Sequence, residues 1–122
     1  MSIRLAVISL WAEDVPQTAH FYRDVIGLPL LPHHGERPHF DLGGSYLVIL
    51  GGKPMPPQDP VPERFPVLAF AVDDLEEWVE KLRAHNVGLP WGTEKDADSR
   101  WIMFYDPAGN LIELAQFGSE QA

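Results

Sequence analysis

Val7-Ile8-Ser9-Leu10-Trp11-Ala12-Glu13-Asp14 is answered 60 residues later by Val67-Leu68-Ala69-Phe70-Ala71-Val72-Asp73-Asp74. In each copy an apolar run of strand character reaches an acidic pair. A helical stretch follows, and the copy closes on Gly-Leu, at Gly27-Leu28 and Gly88-Leu89. The offset is 61 at those leucines. It becomes 65 where Asp41-Leu42-Gly43-Gly44 matches Asp106-Pro107-Ala108-Gly109, each turn leading into an apolar strand. Self-similarity of this kind marks a duplicated supersecondary unit. The spacing predicts one α+β domain over residues 1–122, built of tandem βαβββ modules at 3–51 and 67–117. Between them, 52–66 is read as a connector, because residues 54–66 hold six of the 12 prolines. Proline at that density supports neither a helix nor a central strand. The same stretch would also serve as a semi-rigid lid.

Local chemistry agrees with both helices. In the second module Leu75, Trp78, Val79 and Leu82 fall at i, i+3, i+4 and i+7, one stripe of an amphipathic helix. Asp74 followed by Glu77 has the form of a capping box, with acids at the positive helix end. In the first module Asp14 caps, Pro16 sits in the opening turn, and Val15, Ala19, Tyr22 and Ile26 form the buried stripe. Gly27 supplies the stop.

Composition bounds the function. The chain has 122 residues, 45% of them apolar and 22% charged, which suits one compact domain. No apolar run approaches the roughly 18 residues of a membrane helix, and the N-terminal stretch lacks the small-residue cleavage site of a signal peptide. Zero cysteine excludes a disulfide scaffold, a thiolate zinc site, an iron–sulfur cluster and a cysteine nucleophile. The expected address is the cytoplasm. Nine Lys plus Arg against 18 Asp plus Glu give a formal charge of −9. Such a surface repels phosphate backbones and anionic lipids, so neither nucleic acid nor a membrane surface is an expected partner. It would attract a cationic small molecule, although acidity also serves plain solubility.

Three segments resemble the glyoxalase/bleomycin-resistance/dioxygenase family, the vicinal oxygen chelate proteins. They are Asp14-(x6)-Phe21-Tyr22-Arg23-Asp24-Val25-Ile26-Gly27-Leu28, Val72-Asp73-Asp74-Leu75, and Asp106-Pro107-Ala108-Gly109-Asn110-Leu111-Ile112-Glu113-Leu114. With the repeat, the resemblance runs from Ile3 to Phe117. It implies two modules whose curved mixed sheets form one cup with helices outside, and a homodimer. The fold hosts lyases, epimerases, dioxygenases and binding proteins, so function must be argued from the site. The family's metalloenzymes hold a divalent ion with four His, Gln or Glu side chains. Carried over residue by residue, those positions are Val7, Val67, Glu113 and Val48, or Ile49 if the register slips by one. Valine has no lone pair to donate, and one carboxylate does not hold a catalytic divalent ion. The expectation is therefore no metal and no other cofactor.

Strand alternation places Val7 and Ser9, Tyr46 and Val48, Val67 and Ala69, and Glu113 on the cup side. The result is an apolar pocket with one acid at its floor, unless neighbouring aromatics fill it. Glu113 would be raised in pKa or paired with a cation. It is a candidate to bind a ligand's amine or guanidinium, to act as a general base, or to form a structural pair with Arg100. A simple hairpin would set Ile102 opposite Glu113 and put Arg100 on the Glu113 face. Among the histidines His39 is the candidate for the rim; His33 and His34 in a turn, and His20 and His85 near helices, read as surface. Trp91 and Trp101 offer either core packing or stacking on a flat cationic ligand, Trp78 reads as core, and Trp11 as core or dimer contact. These features favour a small-molecule-binding protein that sequesters a cationic aromatic compound, as bleomycin-resistance proteins do. The alternatives are a metalloenzyme with unconventional ligands such as His39 and Glu113, or a metal-free enzyme with Glu113 as base.

Overall fold

The computed structural model describes residues 2–32, 37–53 and 67–118. The proline-rich stretch 54–66 and the His33-His34 pair lie outside the described residues. The chain divides into two compact units, residues 1–56 with 107–110, and residues 57–106 with 111–122.

The first unit begins with strand β1 (Val7–Ala12) and helix α1 (Val15–His20). The Asp14 carboxylate accepts from Gln17 N at 3.0 Å, satisfying one of the donors that a helix start leaves free. The helix does not run on as a regular α-helix. From Phe21 to Ile26 it widens into a π-helical turn. Gly27, at φ 88°, then ends it, with the amides of Gly27 and Leu28 both donating to Tyr22 O. The predicted stripe is buried at Ala19, Tyr22 and Ile26, and the wider turn adds Phe21 and Val25.

Strands β2 (His39–Asp41) and β3 (Tyr46–Gly51) complete a sheet of order β1-β3-β2, parallel between β1 and β3 and antiparallel between β2 and β3. The expected further strand of this module is reduced to a single bridge between Leu30 and Phe40. Pro29 and Pro32 flank it and have no amide to extend the ladder. Phe40, Leu47 and Ile49 are fully buried on the helix side. Burying each such side chain contributes roughly 1.5–3 kcal/mol.

The second unit carries the full βαβββ order: β4 (Leu68–Ala71), α2 (Leu75–Ala84), β5 (Glu94–Lys95), β6 (Ser99–Tyr105) and β7 (Leu111–Phe117). Its sheet runs β4-β7-β6-β5, with β4 and β7 parallel and the other pairs antiparallel. Asp74 caps α2 by accepting from Glu76 N and Glu77 N. Leu75, Val79 and Leu82 are buried together with Ile102, Phe104, Ile112 and Leu114 of the sheet. Trp78 is half-buried rather than core, with Lys81 Nζ 4.8 Å from its ring centre.

One register differs from expectation, and it matters for the site. Tyr105 pairs with Leu111, so five residues, 106–110, make the β6–β7 turn, with Gly109 at φ 91°. A four-residue turn would have set Ile102 opposite Glu113; the extra residue sets Met103 there instead. Because side chains alternate along a strand, that one-residue change moves Arg100 to the opposite face.

Candidate functional site

Each sheet has one face packed on its own helix and one face free of it. On the free face of the second sheet the register forms two rows: Ala69, Glu113 and Met103, then Ala71, Ala115, Trp101 and Glu94. Ala69 and Ala71 are exposed and leave room above β4, while Trp101 and Met103 are half-buried. Glu94 is directly opposite Trp101, and Glu113 lies diagonal to that tryptophan. Burial, and then the negative charge of Glu94, push the Glu113 carboxyl above its ordinary value. Glu94 Oε1 is closed off from water and accepts no hydrogen bond from the described residues. A carboxylate oxygen stripped of water and left without a donor is costly, and a like charge nearby adds to the penalty. An incoming N–H donor or cation would relieve both.

Arg100 does not supply that charge. It pairs across the ladder with Gln116 and Lys95 on the helix side. Its guanidinium donates to Glu76 Oε1 and Gln116 Oε1, both at 3.1 Å. The alternative of an Arg100–Glu113 pair is thus replaced by an anchor between sheet and α2, for Gln116 Oε1 also accepts from Leu75 N at 2.8 Å. Arg100 also borders a recess of about 300 Å³ at the end of the β6–β7 ladder, lined by residues 95–100 and 116–118 and not by Glu113.

The free face of the first sheet holds Val7, Tyr46 and Asp41 in one row, Ser9, Val48 and His39 in the next, and Trp11 opposite Leu50 in the third. Val7 and Tyr46 are 47% and 42% exposed, and Val48 is buried. His39 is half-buried, its Nδ1 2.6 Å from Arg37 O and its ring 6.4 Å from that of Tyr46. Val67 immediately precedes β4. Trp91 packs at a tilt on Tyr105, with ring centres 5.8 Å apart. His20 and His85 are exposed, as expected; His20 Nδ1 lies 2.6 Å from Asp24 Oδ2. Trp11 is not core and stands 51% exposed. Among the described residues no three His, Cys, Asp or Glu side chains group closely enough to hold a metal ion. Glu94 is the functional candidate that sequence reasoning missed. It sits in a two-residue strand with no apolar alternation, so only the ladder with β6 reveals its face.

The sequence model of the Glyoxalase/Bleomycin resistance protein/Dioxygenase superfamily matches residues 4–114. A metallothiol transferase FosB from Staphylococcus saprophyticus is 29% identical over 104 residues, covering 83% of this chain and 68% of that protein. The uncharacterized protein YaeR of Escherichia coli is 31% identical over 117 residues, 88% of this chain and 91% of its own. Among solved structures, the antibiotic binding protein TnmS3 from Streptomyces sp. CB03234 superposes with a TM-score of 0.76 at 26% identity, covering 97% of this chain and 99% of that one. A glyoxalase/dioxygenase from Nostoc punctiforme gives 0.77 at 24% identity over 95% and 92%.

Proposed function

Because this chain belongs to the Glyoxalase/Bleomycin resistance protein/Dioxygenase superfamily, we propose that it is a small-molecule-binding member without the usual chelated metal, which takes up a cationic aromatic compound. The observation that carries the reading is the pair Glu94 and Glu113 around Trp101, on a sheet face without Lys or Arg among its described residues. Two carboxylates of which one is short of a donor favour a cation, and an indole beside them adds a π face for it. The formal charge of −9 draws cations toward the protein at long range. Likeness to an antibiotic binding protein supports sequestration as the use of such a site.

The metal positions argue the same way. Val7, Val48 and Val67 offer no electron pair, and Glu113 has a second acid rather than a histidine beside it. The FosB relatives are named metallothiol transferases, but the donors such chemistry needs are not in this chain's residues at those positions. A homodimer in the cytoplasm completes the reading.

Calorimetric titration with a panel of cationic aromatics tests it, alongside elemental analysis before and after soaking with Ni, Zn, Mn and Fe. Saturable binding, weakened in Glu113→Gln and in Glu94→Gln, and no stoichiometric metal are expected. Absence of binding across the panel, or one metal per chain, overturns the reading. The raised proton affinity of Glu113 favours a second reading, a metal-free general base. It requires turnover that survives chelators and disappears in Glu113→Gln.

A further inference from the structure

Two kinds of pocket hold an organic cation, and they suit different ligands. A cage of aromatic rings suits a quaternary ammonium, which has no hydrogen to donate. A shielded carboxylate oxygen suits an N–H donor, because a hydrogen bond replaces the water it has lost. The free face of the second sheet is of the latter kind. Within the two rows that hold its carboxylates, Trp101 is the single ring among the described residues. The neighbouring rows close no cage around it. Tyr105, opposite Leu111, packs on Trp91, and Phe117, opposite Ser99, stands 45% exposed at the end of the ladder. Glu94 Oε1, in contrast, is shut off from water and has no donor among the described residues. Its residue is directly opposite Trp101, so a planar cation lying on the indole turns an edge toward that carboxylate. Lys95, next in sequence, pairs with Arg100 on the other face of the strand.

We propose that Glu94 is the specificity-determining residue of this site, and that it selects a planar cation bearing N–H groups over a permethylated cation of equal charge. The proposal rests on the cation-binding reading and gives its two acids different tasks. Glu113 supplies negative charge, which acts on any cation alike. Glu94 supplies a directional acceptor, which only a hydrogen in line with it satisfies. A ligand without such a hydrogen leaves that oxygen dry and unpaired in the complex, and the unmade bond is the source of discrimination. Glu94, Trp101 and Glu113 all belong to the unit of residues 57–106 and 111–122.

The test is calorimetric titration with proflavine and with its permethylated counterpart, acridine orange methylated at the ring nitrogen. Both are planar acridines with one positive charge, and only proflavine carries N–H groups. The native protein is expected to bind proflavine about tenfold tighter or more. In Glu94→Met, which removes the acceptor, that ratio should collapse toward unity. Glu94→Gln keeps a carbonyl oxygen and should keep part of the preference. Glu94→Met exchanges an unpaired acid for an apolar chain, so thermal melting should show no loss of stability. Equal affinity for the two cations in the native protein, or a preference undiminished in both Glu94 variants, overturns the assignment and leaves the cation reading standing. Tighter binding of the permethylated cation points to an aromatic cage and overturns it as well. Failure of the native protein to bind either cation removes both readings.

Discussion

At Glu113 two effects act in one direction. Partial burial and the Glu94 charge both disfavour the carboxylate and raise its proton affinity in the native state. A carboxyl group with a folded pKa above its unfolded value binds its proton more tightly when folded. Its contribution to stability is therefore full in acid and lost as pH rises through the folded value. Glu113→Gln, which does not titrate, is expected to melt slightly above the native protein at pH 7, the gap closing toward pH 4. Calorimetric melting across that range checks this, and a native protein more stable than the variant at pH 7 would contradict it. The same titration governs binding, since a cation needs the charged carboxylate. Affinity for proflavine should rise with pH over the window in which Glu113 loses its proton, and that rise should flatten in Glu113→Gln.

Helix α2 is held to its sheet by its start as well as by its apolar stripe. Asp74 accepts two amide hydrogens of the first turn, and Gln116 Oε1 accepts that of Leu75 while also receiving Arg100. Asp74→Ala removes a cap and should cost about 1 kcal/mol, read as a lower midpoint in urea denaturation at unchanged m-value. An unchanged midpoint would mean that water satisfies those amides equally well. The salt bridge of Arg100 with Glu76, at 40% and 62% side-chain exposure, contributes little by comparison. Arg100 is thus a residue of the element junction. Its expected place beside Glu113 depended on a turn length, and Gly109 in the left-handed region lets the turn hold one residue more.

For the molecule as a whole, the formal charge of −9 makes cation uptake sensitive to ionic strength. Charges more than roughly 10 Å apart are largely screened at 0.1 M salt. Proflavine affinity is expected to fall several-fold between 20 and 500 mM NaCl, measured by equilibrium dialysis; salt-independent binding would point to a purely apolar pocket. Much of the fold was legible in the chain. The 60-residue repeat, the caps at Asp14 and Asp74, the glycine stop at Gly27 and the two apolar stripes are local signals, each fixed by backbone geometry or helical period. Strand alternation likewise assigned Val7, Ser9, Tyr46 and Val48 to one face, because a period of two does not depend on what lies across the ladder. The valines at Val7, Val48 and Val67 were equally plain, since lone pairs are a property of the residue. What no local signal carried was the pairing between strands. Glu94 came to Trp101, Met103 to Glu113, and Arg100 to Gln116 only when the β5–β6–β7 ladder set its register, and between β6 and β7 that register turned on one residue in a turn. The approach of the Trp11 ring to Gly52 belongs to the same class: contacts between segments 41 residues apart in sequence are decided by packing, which a single strand cannot report.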